Sequence, residues 1–382
     1  NDDVSSLYDS QKRNKYSADL KTSFPLAGGL SLNAEGYSES GRQEFSEKYF
    51  DYAQMALTNE RDTYDSGLHG MDIELQSKNK AAMFARQSFG AGWKYDTFNG
   101  VQQKPVNGLL PDITRRSTAT FKSARLENES AFGPAAFTLA ARFDHHSAFG
   151  FFLSPSAGIV FKPEGGNRDV KIQAGRSFKA PSLNDLYWPE DAFGAGNPAL
   201  KPENSYSLRT DYEQSAGALS FRVGAFTRKI NDMITWAPMG AIGPFGPKWV
   251  PSNVNSMNTR GAEAQAEYDF YGRLSVSGNF TYVWAEQNAF EGATDALTNA
   301  PVLVSRKAAQ VPSQQAGLKL AYKVLDRVRL CVKARGVSEQ LRYYSNMMIG
   351  GMDAKRLPAY GVLGADVSVE LFKGGKVMLA AD

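Results

Sequence analysis

Hydrophobic and polar positions alternate along most of this chain. Within 273–286, Leu274, Val276, Gly278, Phe280, Tyr282 and Trp284 fall on one face, and Ser275, Ser277, Asn279 and Thr281 on the other. Side chains two apart point the same way on a strand, so this segment has one greasy face and one wet face. The period of two recurs: Val328, Leu330, Val332 and Ala334 alternate with Arg327, Arg329, Cys331, Lys333 and Arg335. Near the start, Tyr16, Ala18, Leu20 and Phe24 alternate with Ser17, Asp19, Lys21 and Ser23. Helical spacing fits none of these better. About sixteen such runs occur, most of them roughly 9–14 residues long; a tilted strand needs ~9–11 to cross a bilayer, and an ordinary globular strand has ~5–6.

The connections follow a rhythm of their own. Short turns carrying Gly, Pro, Asn or Asp fall at 25–29, 78–80, 132–134, 163–169, 215–217, 269–272, 325–326 and 373–376. Between them lie long polar or Gly/Pro-rich stretches at 38–65, 97–115, 179–203, 236–256, 287–310 and 339–358, with a tight join at 146–151 as the exception. Short turns at one rim and long loops at the other predict an all-β transmembrane antiparallel barrel of the outer-membrane type, with its long loops extracellular. A soluble sandwich or propeller also alternates. Strand length, the turn asymmetry and the basic wet face of 327–335 count against it.

Composition narrows the chemistry. A hydrophobic fraction of 42% is enough to exclude wholesale disorder. No apolar run approaches the ~18 residues of a spanning helix, and alternation accounts for the mean hydropathy of −0.39. Cys331 stands alone, which rules out an internal disulfide framework and a cysteine zinc site. With 43 basic and 40 acidic residues, there is no electrostatic case for a nucleic-acid partner. The neighbours His145 and His146 point to opposite faces of a regular strand and do not chelate one ion. No Gly-x-Ser-x-Gly elbow occurs, and Asp51, Asp62 and Asp65 lack calcium-loop spacing. Neither an enzyme nor a bound metal or cofactor is expected.

Aromatic residues are the most informative polar-loop feature. Tyr187, Trp188, Phe193, Phe245, Trp249, Tyr343 and Tyr344 sit in or beside the long loops. Two explanations stand: an aromatic girdle at the membrane interfaces, or stacking on a planar or apolar ligand. Loop positions such as Phe245 and Trp249 favour ligand contact, with Met347 and Met348 as supplements. The strand ends Trp236 and Trp284 favour the girdle.

One region is more specific than a fold class. Ala174-Gly-Arg-Ser-Phe-Lys-Ala-Pro-Ser-Leu-Asn-Asp-Leu-Tyr-Trp188 is followed by Gly196-Asn-Pro-Ala-Leu-Lys-Pro-Glu-Asn-Ser205. Downstream runs Asn253-Val-Asn-Ser-Met-Asn-Thr-Arg-Gly-Ala-Glu263, and upstream Ala141-Arg-Phe-Asp-His-His146 precedes Ser154-Pro-Ser-Ala-Gly158. These segments resemble the barrel signatures of TonB-dependent outer-membrane receptors, well over 115–382 and by pattern alone over 1–114. Within 257–322 the spacing is similar to the cobalamin-transporter branch, and siderophore receptors share much of it. The motif residues are Arg176, Pro181, Asn197, Pro198, Leu200, Pro202, Glu203, Arg260, Gly261 and Glu263. The prolines remove ladder donors where the loop leaves and re-enters the sheet. A rigid loop base and direct ligand contact both remain open for this motif.

The resemblance implies a barrel of about 22 strands occluded by a plug domain, which contacts the TonB complex. It also implies uptake of a scarce metal chelate, a cobalamin-like corrinoid or ferric siderophore, through the bacterial outer membrane. Lipid and lipopolysaccharide would surround the wall. The expectation for 1–382 is a partial barrel of about sixteen of those roughly 22 strands, with the plug domain and final strand lying elsewhere. The opening Asn1-Asp2-Asp3 shows no leader pattern, as in a mature or partial chain. An open sheet leaves costly unpaired edges in lipid, so either a longer chain or a second polypeptide would complete it. A passive porin and a scaffolding barrel in an envelope complex are the competing functions.

Overall fold

The computed structural model describes residues 10–51, 56–78, 84–103, 113–163, 165–188, 190, 194–237, 242–243, 246–294, 301–346, 351–372 and 375–381. Its strands are β1 (Ser10–Pro25), β2 (Leu30–Asp51), β3 (Ala56–Lys78), β4 (Phe84–Gln103), β5 (Ile113–Phe132), β6 (Ala135–His146) and β7 (Gly150–Phe161). Next come β8 (Arg168–Lys179), the short helix α1 (Leu183–Tyr187), β9 (Glu203–Ala216), β10 (Leu219–Ala237), β11 (Ile242–Gly243), β12 (Gly246–Pro247) and β13 (Val250–Phe270). The remainder is β14 (Leu274–Thr294), β15 (Pro301–Lys307), β16 (Gln314–Leu325), β17 (Val328–Val337), β18 (Gln340–Asn346), β19 (Gly351–Leu357), β20 (Tyr360–Phe372) and β21 (Gly375–Ala381).

Seventeen of these form one antiparallel sheet, each pairing with its neighbours in chain order. β15 pairs with the loop-end half of β14 and β16 with its turn-end half, so the two share one position in the wall. The main sheet therefore has sixteen positions. β18 and β19 pair with each other as a separate two-stranded ribbon inserted between β17 and β20 in chain order. Among the described residues β1 pairs with β2 alone and β21 with β20 alone, so the sheet is curved but not closed.

Cross-strand register carries the alternation from strand to strand. Gly36 pairs with Leu20 and with Met71, and Met71 pairs with Trp93. This row belongs to the apolar face, where Leu20, Met71 and Trp93 are all exposed. One residue over, Lys21 pairs with Glu35 and Glu35 with Asp72. Because a slip of one residue would put every greasy side chain on the wet side, the register is strongly specified. The polar face is laced with ion pairs: Lys21–Glu35 at 2.9 Å, Arg125–Glu74 at 3.3 Å, Lys171–Glu213 at 2.6 Å, Arg209–Glu263 at 2.7 Å and Lys333–Asp366 at 2.7 Å. Leu20, Leu139, Phe151 and Leu363 are 60–82% exposed on the other face, which suits lipid and not water.

Among the described residues the short turns at 25–29, 132–134, 163–169, 215–217, 269–272 and 325–326 lie where the sequence places them, and those expected at 78–80 and 373–376 lie partly outside the described residues. The long stretches do not behave as loops throughout. β2 and β3 run for 22 and 23 residues and stay paired through Asp51 and Ala56, far into the stretch expected to be irregular. β4, β13 and β14, of 20, 21 and 21 residues, extend likewise. A strand of 22 residues is about 70 Å long and, even tilted, overshoots an apolar band of about 25 Å. Above that band both faces meet water, so alternation vanishes from the sequence while the backbone ladder continues.

The two faces should respond differently to charge. Leu318→Arg, on the exposed apolar face of β16, is expected to cost about 2–4 kcal/mol if it lies near the bilayer centre. Thr281→Arg, on the polar face opposite Glu263 and Gln315, should cost little. Urea titrations of the complete protein refolded into lipid vesicles measure both.

Candidate functional site

The long-loop end is where buried side chains gather: Leu186, His146 and Pro251 are each under 2% exposed or close to it. The organising piece is the segment from β8 to β9. Pro181 is buried, and Ser182 then caps α1. Its Oγ accepts the Asp185 backbone N–H at 3.1 Å, while the Asp185 carboxylate accepts the Ser182 backbone N–H at 3.2 Å. This reciprocal capping box allows a helix of one turn to form at all. The second oxygen of Asp185 accepts the indole N–H of Trp236 from β10 at 3.1 Å.

Around that bond an aromatic assembly forms. Trp188 stacks on Tyr64 of β3 with ring centroids 4.4 Å apart, and Tyr64 stacks on Phe98 of β4 at 6.1 Å. Trp236 meets Trp188 edge-on at 6.2 Å. Offset and edge-on contacts of this kind match the ring quadrupoles. Three strands distant in sequence thus converge on the loop segment. Trp236, expected in a girdle, has its indole held by α1. Register shifts in β10 after Ile230 re-aim its end toward α1.

The return path to β9 explains the family-type motif. Asn197 donates its side-chain amide to the Pro251 carbonyl at 2.9 Å and accepts the Ala199 N–H at 2.9 Å. Asn253 of β13 accepts the Lys201 N–H at 2.7 Å and donates to the Asp232 carbonyl at 2.8 Å. Glu203 is 8% exposed and accepts from the Ile234 N–H at 3.0 Å and the Lys179 ammonium at 3.2 Å. Leu200 is buried, Pro202 half-buried and Pro198 exposed. A Cβ at position 196 would collide with the backbone of Leu186 and Trp188, which requires glycine there. These contacts make the motif a clamp tying the loop to β10 and β13.

The second motif divides between the faces. Glu263 lies on the polar face in an ion pair with Arg209. Gly261 has room for no Cβ against the Tyr282 carbonyl and the Phe226 ring. Arg260 is exposed on the apolar face with its guanidinium 5.8 Å from the Trp284 ring. Arg176 is arranged the same way against Tyr206, also at 5.8 Å.

The remaining aromatic candidates scatter. Tyr187 and Trp249 are half-buried, and the Trp249 carbonyl accepts the Ala195 N–H at 3.1 Å, next to its bridge with Gly194. Tyr343 lies elsewhere: its hydroxyl donates to the Lys307 carbonyl at 2.9 Å, and Arg306 covers its ring at 4.0 Å. The backbone of Tyr344 pairs with Asp353, while its side chain lies outside the described residues, as do Phe193, Phe245, Met347 and Met348. Sequence reasoning missed Tyr64, Phe98 and Asp185. Ser182-x-x-Asp185 is a legible capping signal, but Tyr64 and Phe98 look like ordinary strand residues.

Beneath α1 a cavity of about 250 Å³ is lined by Glu39, Asp96, Phe121, His146, Ser182 and Asn184, among others. His146 Nδ1 accepts the Ala148 N–H at 3.0 Å, which places the ring proton on Nε2. His145 turns the other way, onto Phe151 at 4.4 Å. Among the described residues no group of three or more His, Cys, Asp or Glu side chains gathers to hold a metal ion. With Tyr64 and Phe98 buried beneath them, the half-buried rings of Trp188 and Trp236 are what the site offers for stacking, beside polar edges at the long-loop rim. That suits non-covalent capture of a whole molecule.

A wall that is apolar outside and ion-paired inside, with an ordered loop assembly at one rim, defines an outer-membrane barrel receptor. The family model for "TonB dependent receptor-like, beta-barrel" matches residues 1–379, so the chain belongs to that family, whose members are transport receptors and not enzymes. It is 26% identical over 246 residues to the vitamin B12 transporter BtuB of Vibrio vulnificus, covering 62% of this chain and 38% of that protein. It is 28% identical over 232 residues to the iron-regulated outer membrane virulence protein of Vibrio cholerae serotype O1, covering 56% and 34%. The siderophore receptor PirA from Acinetobacter baumannii shares the fold, with a TM-score of 0.68 at 14% identity, over 96% of this chain and 57% of that one. The chain thus spans roughly a third to three-fifths of the length of these relatives.

The clamp can be tested apart from any ligand. Glu203→Ala leaves the part-buried Ile234 N–H without its carboxylate partner, which is expected to cost about 1 kcal/mol. Limited proteolysis should then cut within 183–200 faster than in the parent protein, while heat-modifiable gel mobility shows the barrel intact.

Proposed function

We propose that this chain forms the wall and mouth of a receptor that captures a scarce metal chelate and imports it with TonB-derived energy. The cargo class is a cobalamin-like corrinoid or a ferric siderophore. The observation that carries this reading is the half-buried pair Trp188 and Trp236 at the long-loop rim, seated on the buried rings of Tyr64 and Phe98 and fixed by Asp185 and the 197–203 clamp. Rings held in place lose little further freedom when a planar or apolar chelate stacks on them. The ion-paired lumen would receive a plug domain carried by sequence outside 1–382, through which the TonB complex acts. The relatives named as B12 and iron-regulated proteins support the cargo class without choosing between its members.

Uptake assays in cells lacking their own receptors test the proposal on the complete gene product. Radiolabelled cyanocobalamin and a ferric siderophore are supplied with and without TonB. Import of one of them that requires TonB is the expected result, and uptake that proceeds equally without TonB points to a passive pore and refutes it. Alanine at both Phe245 and Trp249 should weaken cargo affinity by about tenfold, the loss of two aromatic contacts. Unchanged affinity removes these two from the binding surface.

A further inference from the structure

Of the three histidines, His146 alone is buried, at 2% exposed. It is the last residue of β6, whose 12 residues, at the usual strand rise and barrel tilt, climb roughly 30 Å, past an apolar band of about 25 Å. Its ring meets Phe121 edge-on at 4.2 Å and Phe149 at 4.8 Å. Nδ1 accepts the Ala148 N–H at 3.0 Å. Only a neutral imidazole can do so, because an imidazolium has two donors and no acceptor. The Lys94 ammonium already stands over the Phe121 ring at 4.5 Å. This seat disfavours a charged ring, and burial lowers the proton affinity of His146 from the ordinary histidine range.

A second seat lies alongside. The ring borders the cavity of about 250 Å³ beneath α1, and a cavity of about 150 Å³ is enough to hold a benzene ring. Among the described residues the charged groups lining it are Glu39 of β2 and Asp96 of β4, paired with Lys15 and Lys94 at 2.9 Å each. β3, β5 and α1 contribute neutral side chains, and β7 carries no charged residue. On β6 itself, Asp144 is taken by Arg142 at 2.9 Å, and His145 turns away onto Phe151. A protonated ring that left Ala148 would therefore find opposite charge in the cavity. Ser182 and Asn184 bound the same space, and their carbonyls accept the Leu186 and Trp188 N–H groups that hold α1 together.

We propose that His146 is a pH latch for the long-loop rim. Neutral, it ties the β6–β7 turn to the end of its strand; protonated, it leaves Ala148 and turns into the cavity toward Asp96 and Glu39, against the base of α1. The unfolded chain binds this proton more readily than the latched rim does. The rim is therefore fully held above the ordinary histidine value of about 6.5 and loosens as pH falls below it. Two seats for one ring make the element bistable, and a proton biases the choice. The segment that carries Trp188 is thus ordered at neutral pH and released by external acid. The latch does not depend on which cargo is carried.

Hydrogen exchange of the complete receptor in detergent, corrected for intrinsic rates, tests this alongside ring ¹⁵N spectra of the histidines. Between pH of about 8 and about 5, exchange at Ala148, Leu186 and Trp188 should rise about fivefold, the loss of one hydrogen bond. The rise should track protonation of the ring whose signal disappears in His146→Asn. That variant keeps an acceptor near the Nδ1 position and carries no charge, so it should abolish the rise. His145→Asn should leave it unchanged. Asp96→Asn, which removes counter-charge from the cavity, should move the rise to lower pH. A flat profile in the parent, or a rise that persists in His146→Asn, overturns the latch. If heat-modifiable gel mobility shows that His146→Asn does not fold, Asp96→Asn decides, and an unmoved midpoint overturns the proposal.

Discussion

In hydrocarbon a backbone N–H or C=O that finds no protein partner has no water to fall back on, and each such group costs several kcal/mol. Everything else in this wall follows from meeting that demand with an antiparallel ladder. The ladder fixes two faces on each strand, and the register between strands makes the faces continuous. Leu20, Gly36, Met71 and Trp93 lie on one side because the rows beside them, Lys21, Glu35 and Asp72, lie on the other. The same ladder explains why β2 and β3 remain paired beyond the apolar band. Pairing is the cheapest way to satisfy main chain even where water is available.

The interior then has an electrostatic task. Charged side chains crowded on the polar face are partly desolvated by one another, so they pair: Arg209 lies between Asp211 and Glu263, at 2.8 and 2.7 Å. Such pairs stiffen the wall more than they stabilise it, because exposed ion pairs contribute little. The rim works differently. There Asn197, Asn253 and Glu203 use side chains to satisfy backbone that has left the ladder. The aromatic assembly rests on that substitute network.

Much of the fold is legible in the order of residues alone. The period of two in 273–286 and 327–335, the strand lengths and the spacing of the turns all express local geometry, and local geometry is written along the chain. The segment 174–205 is legible for another reason: it resembles a family signature, while its role as a clamp emerges only from its contacts with β10 and β13. Elsewhere the deciding signal is not local. The stretch 38–65 reads as loop because polar residues occupy both faces. Trp236 reads as a girdle residue because its re-aiming depends on irregular pairing with β13.

By itself, then, the sequence determined a two-faced, membrane-length antiparallel sheet, and periodicity suffices for that; the motif residues of 174–205 stand out by resemblance, and only the structure shows their contacts as a clamp. Tertiary structure alone decided that Trp188 meets Tyr64 and Trp236, that Phe98 stacks on the far side of Tyr64, and that Arg176 lies over the Tyr206 ring while Arg209 is neutralised by acids. These arrangements depend on which strands become neighbours and how their ends bend. Contacts between residues scores of positions apart leave no period in the sequence that could announce them.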